Sequence, residues 1–86
     1  MYYIGQVVYS KSGRDKSRPF VVVAVENEYL YLADGEIRKL SRPKKKKTRH
    51  VALTHSHMPE SETDDLKNGR LLDANVRRFL HCLKTI

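Results

Sequence analysis

Residues 5–23 read Gly-Gln-Val-Val-Tyr-Ser-Lys-Ser-Gly-Arg-Asp-Lys-Ser-Arg-Pro-Phe-Val-Val-Val, two apolar runs about a polar hinge. Val7, Val8 and Tyr9 form the first run, and Phe20, Val21, Val22 and Val23 the second. β-Branched and aromatic side chains suit a pleated, half-buried surface, so each run reads as a strand. The hinge holds four cations, Lys11, Arg14, Lys16 and Arg18, against one anion, Asp15. Gly13 can supply a positive φ, and Pro19 fixes the entry to the second strand. Strand, basic turn, strand is the resulting unit. A turn that presents cations and free N–H groups suits a phosphate-bearing partner.

Outward from this unit the chain continues as short strands. The first is expected over residues 2–9, with Gly5 marking a bulge or a close backbone approach. The second is expected over residues 19–26, buried on both sides because its apolar run is continuous. Asn27-Glu28 makes a two-residue link to a third strand, residues 29–32. There alternation places Leu30 and Leu32 inside and Tyr29 and Tyr31 on the outer face. Asp34-Gly35 reads as a hairpin turn leading to a fourth strand over residues 36–40. Pro43 ends it, and Lys44, Lys45, Lys46 and Lys47 read as a solvated loop of mutually repelling charges. A strand resumes over residues 48–54. Tight turns at this spacing predict an all-β barrel of about five strands.

Composition changes after Thr54. Residues 55–59 read as a linker, Glu60, Glu62, Asp64 and Asp65 as an acidic patch, and Thr63-Asp64-Asp65 as the cap of a short helical turn. A helix is expected from about residue 72 or 73 to residue 83. Leu72, Val76, Phe79, Leu80 and Leu83 recur on one face, with Phe79 as its anchor. A helix of about 12 residues is marginal alone, so it must dock on the barrel or on a partner.

The central unit also resembles a KOW motif, the strand-loop-strand element of SH3-like barrels in ribosomal and transcription-elongation proteins. Gly5, Val7, the Gly13-Arg14 pair, the following basic residues and Val21, Val22 and Val23 carry the likeness, which covers residues 2–54. Within that group it is similar to bacterial KOW proteins related to a large-subunit ribosomal protein of archaea and eukaryotes. Ser17 departs from the motif, which often has a second glycine there. The resemblance implies an SH3-like barrel over residues 1–54. Residues 55–86 then supply the linker, acidic patch and C-terminal helix of a single domain. It also implies RNA as partner, ribosomal RNA first, with ribosomal proteins as further partners.

The charge distribution agrees with a polyanion partner. The net charge is +7, and residues 1–50 carry 12 Lys or Arg against 5 Asp or Glu, whereas residues 51–86 carry 5 of each. Such a field attracts polyanions, of which nucleic acid is the commonest. Arg38, Lys39, Arg42, Lys44, Lys45, Lys46, Lys47 and Arg49 place eight cations in twelve residues. With Lys11, Arg14, Lys16 and Arg18 they form the candidate RNA-binding set; the alternative is a solvated strip that aids solubility. Tyr29 and Tyr31 are open to a base-stacking role, whereas Tyr9 reads as structural. The second functional reading is a protein-interaction module, docking an acidic partner through the barrel or the helix.

Other classes find little support. His55 and His57 could offer two metal ligands, but a zinc site needs three or four at a recognisable spacing, and a linker with two histidines explains them as well. Cys82, the single cysteine, reads as a buried, inert thiol and fits a reducing compartment. No nucleophile-base ordering, nucleotide loop or acid pair stands out, so neither an enzyme nor a cofactor is expected. Residues 1–5 lack the charge and apolar length of a signal peptide, and a cytoplasmic location is expected.

Overall fold

The run around Phe20 is buried on both of its faces, and this sets the architecture. The computed structural model describes residues 1–84. It contains β1 (Gln6–Ser10), β2 (Pro19–Glu26), β3 (Tyr29–Ala33), β4 (Lys44–Lys47), a 3-10 turn (Thr48–His50), β5 (Val51–His57), α1 (Glu60–Lys67) and α2 (Asp73–Lys84). The strands form one antiparallel sheet in the order β4-β3-β2-β1-β5. The fold is therefore mainly β, with two helices.

Alternation along β2 divides its side chains between two clusters. Phe20 and Val22 join Val8, Leu30, Leu32 and Val51, with Tyr2 packed at the side. Among the described residues, no helix residue enters this cluster. Val21 faces the other way and joins Val7, Met58, Leu71, Val76 and Leu80. The helices cover that face. Leu30 and Leu32 are inside, as alternation requires, and the link Asn27-Glu28 is closed by the pair Glu26 and Tyr29.

The structure corrects several expectations. The first strand starts at Gln6, not at residue 2, because the chain turns at Gly5, whose φ is +93°. A Cβ there would lie 2.7 Å from Thr63 Oγ1, so the close approach is real. No strand forms over residues 36–40. The Asp34 carboxylate accepts hydrogen bonds from the N–H groups of Glu36 (2.9 Å) and Arg38 (2.8 Å), and Asp73 accepts from the Leu40 N–H (2.8 Å). Side chains thus satisfy the donors that a ladder would have used. The fourth strand is instead the lysine run, and the loop reading of Lys44, Lys45, Lys46 and Lys47 is wrong: each pairs with a residue of β3. The supposed linker is the end of β5, which runs through His57, and Met58 is a core residue. Cys82 is exposed, not buried.

On α2 the buried anchors are Val76 and Leu80. Phe79 and Leu83 are half-buried at the edge of the cluster, and Leu72 is 66% exposed, its expected place taken by Leu71. Phe79→Ala is therefore expected to cost about 1–2 kcal/mol, below the usual 3–5 for a fully buried Phe. Thermal melting of the isolated protein measures it; an unchanged midpoint would mean that Phe79 serves a partner instead.

The basic turn has its own constraint. Gly13 has φ +77° and Ser17 has φ +70°. A side chain in this left-handed region costs roughly 1–2 kcal/mol, part of which glycine gives back through unfolded-state entropy. Ser17→Gly is expected to stabilise by about 0.5–1 kcal/mol, read as a higher urea midpoint. A lower midpoint would show that the Ser17 side chain contributes more than its backbone costs.

Candidate nucleic-acid interface

The twelve candidate cations fall into groups that the sequence does not separate. Arg18 Nη2 lies 3.2 Å from Asp34 Oδ2, and Arg38 Nη2 lies 3.1 Å from Asp15 Oδ2. Both carboxylates are buried. The Arg38 Nε is buried as well, so this guanidinium is set into the protein rather than held out to a partner. These two pairs cross-link residues 34–38 to the basic turn. Arg18 and Arg38 are thus engaged in holding the fold.

The lysine strand splits by register. Residues paired directly across two strands share a face. Lys44 and Lys46 pair with Leu32 and Leu30, on the side of the inner cluster. Lys46 runs its stem along that side and donates from Nζ to Ser10 Oγ (2.6 Å) and to the Ser12 carbonyl (2.8 Å). It too is structural, a strut from β4 to the basic turn. Lys45 and Lys47 pair with Tyr31 and Tyr29 on the outer face. The Lys45 Nζ sits 4.4 Å from the Tyr29 ring centroid and 6.0 Å from that of Tyr31, and Lys47 lies 5.9 Å from Tyr29. The Tyr31 hydroxyl donates to Glu26, which also lies 4.0 Å from Lys45. Lysines therefore already occupy these rings.

Lys11, Arg14, Lys16, Lys39, Arg42, Lys45 and Arg49 are exposed. The structure brings the two basic segments together. Besides the two ion pairs and the Lys46 strut, the Lys11 N–H donates to the His50 carbonyl at 2.8 Å, joining the turn to the 3-10 segment that carries Arg49. Within the turn, the N–H groups of Lys16 and Arg18 donate to the Gly13 and Asp15 carbonyls, and Ser10 and Lys16 form a short parallel bridge. The turn is thus fixed by its own backbone and by β4.

The sequence gives Tyr9 a structural reading, but the structure leaves its ring partly open. Tyr9 stands between Pro19 on β2 and Ala52 on β5. Both neighbours are small, and Tyr9 is 39% exposed. It opens onto a groove of about 480 Å³ lined also by Ser10, Lys11, Lys16, Ser17 and Ala52. A larger cleft, about 650 Å³, lies between Tyr2, Tyr3, Val25 and α1, but Glu60 and Asp64 line it beside Lys67 and His57. Its carboxylates make it the poorer match for a polyanion. His55 and His57 are both exposed on β5, and the His57 Nδ1 lies 2.6 Å from the Met58 carbonyl.

Neither a protein-family model nor a curated protein matches this chain. Among the described residues no helix is long and apolar enough to cross a membrane.

Proposed function

We propose that this chain is an RNA-binding module of the KOW type, an SH3-like barrel that meets the phosphates of ribosomal RNA through its basic turn. The observation that carries the reading is the convergence of two basic segments, far apart in sequence, through Lys46, the Arg18 and Arg38 ion pairs and the Lys11 N–H. Structural bonds account for three of the candidate cations, and the exposed Lys11, Arg14 and Lys16 stand on a turn whose shape those bonds hold. Preorganised cations lose less freedom on meeting phosphate than a mobile loop would.

Two further features support the barrel and the motif. The edge strands β4 and β5 follow each other in the chain, joined only by the 3-10 turn at Thr48–His50, which suits a sheet curling towards closure. Ser17, at the place where the motif often has glycine, holds the positive φ that a glycine would supply.

The test is competition. A labelled ribosomal RNA fragment bound to the protein should be displaced by unlabelled RNA and not by poly-glutamate at equal charge. Displacement by both in proportion to charge would leave a nonspecific polyanion surface. Preference for poly-glutamate would replace the reading with that of a module for acidic proteins.

A further inference from the structure

The Tyr9 groove combines an aromatic ring with two cations, and its surroundings explain why the ring is open. Pro19 and Ala52, the cross-strand neighbours of Tyr9, are too small to cover it. Tyr29 differs, since Lys45 lies 4.4 Å from its ring. Lys11 and Lys16 line the same groove, and both are exposed. The groove's position is fixed from behind: the Ser17 N–H donates to the Ser10 carbonyl at 2.8 Å, and Lys46 holds Ser10 Oγ at 2.6 Å. Its volume, about 480 Å³, is of the size that small ligands occupy.

A partly exposed aromatic ring beside cations on a fixed turn matches one chemistry closely: a flat heteroaromatic base attached to a phosphate. A base can reach such a ring only when it is unpaired and unstacked, because paired bases in an A-form helix keep their faces covered. We propose that the groove takes one unpaired nucleotide of single-stranded RNA, its base stacked on the Tyr9 ring and its phosphate between Lys11 and Lys16. The proposal rests on the RNA-binding reading and sharpens it, because it makes unpaired RNA the preferred substrate.

Three RNAs of equal length test it: a single strand, its blunt duplex, and the single strand with abasic sites. Each is titrated against wild type, Tyr9→Leu and Tyr9→Phe, with thermal melting to show that the variants are folded. Wild type should favour the single strand over the duplex and over the abasic strand. Tyr9→Leu should weaken the single strand about tenfold while leaving the duplex and the salt slope unchanged, since one stacked base is worth roughly that factor. Tyr9→Phe keeps the ring and should bind as wild type does. The chain has five tyrosines and no tryptophan, so stacking is also read as tyrosine quenching that Tyr9→Leu diminishes. Equal binding of the single strand by wild type and Tyr9→Leu overturns the slot and leaves the RNA reading standing. Binding of poly-glutamate but of none of the three RNAs by wild type overturns both.

Discussion

Asp34→Ala is expected to cost about 3 kcal/mol, lowering the melting temperature by roughly 15 °C in a domain of this size. Asp34 is 6% exposed, and its carboxylate has three partners. It accepts from the N–H groups of Glu36 and Arg38 at 2.9 and 2.8 Å and pairs with Arg18 at 3.2 Å. The Arg38 carbonyl in turn accepts from the Asp34 and Gly35 N–H groups. Removing the carboxylate leaves two backbone donors without their acceptor among the described residues, each bond to an ionised group being worth about 1.5–3 kcal/mol. Arg18 contributes less to the loss, because its side chain is 38% exposed and can turn to water. Asp34→Asn keeps one acceptor oxygen and should lose about half as much. Hydrogen exchange supplies the local readout: the amides of Glu36, Arg38 and Leu40 should lose protection in Asp34→Ala before those of β2. A melting point within about 2 °C of wild type would show that the turn stands without the carboxylate.

The same carboxylate explains where the sequence misleads. Asp-Gly before an alternating stretch is an ordinary hairpin signal. Here the Asp34 side chain takes the N–H groups that the hairpin would have paired, and α2 reinforces the result. Arg77 donates to the Gly35 carbonyl at 2.7 Å, and a Cβ on Gly35 would press into the Asp73 carbonyl oxygen. These contacts lie more than thirty residues apart in the chain, beyond any local pattern. The lysine strand fails for the complementary reason. Like charges argue for a loop, but pairing with β3 sends alternate lysines to opposite faces, so adjacent ammonium groups part. Where burial alone decides, the reading succeeds. The continuous run of β2 and the leucine-tyrosine alternation of β3 can be read directly, because only one placement hides their apolar atoms.

The candidate site is legible in composition and not in role. All twelve cations are visible in the sequence, yet whether an arginine meets a phosphate or a buried aspartate depends on Asp15 and Asp34 arriving beside it. Nothing in the sequence around Arg18 distinguishes it from Lys16. The separation has a consequence for stability. Arg18 and Arg38 tie residues 34–38 to the turn, so their loss should loosen the surface that the exposed cations need.

That distinction makes the salt dependence of RNA binding the most exposed expectation. If about six phosphates of single-stranded RNA are neutralised, log K should fall against log salt with a slope near −4, so that a fourfold rise in salt weakens binding about 250-fold. Lys11, Arg14 and Lys16 stand exposed on the turn. Replacing all three by Ser should remove about three contacts, bring the slope near −2, and leave only about a 16-fold loss over the same range. The effect should be similar for RNAs of different sequence, because phosphate contacts position the protein without reading bases. Arg18→Gln and Arg38→Gln should instead lower the melting temperature while keeping the slope, since these guanidiniums are spent on Asp34 and Asp15. Within β4, Lys45→Ser and Lys47→Ser should reduce the slope more than Lys44→Ser and Lys46→Ser, as only the first pair stands on the outer face with the tyrosines. Titrations of each variant at three salt concentrations, at a temperature where all are folded, decide between these outcomes. A triple variant with the wild-type slope would remove the turn from the interface. Equal slope changes from Arg18→Gln and from Lys16→Ser would mean that the buried carboxylates release their partners to RNA, and the division of the cations would then fail.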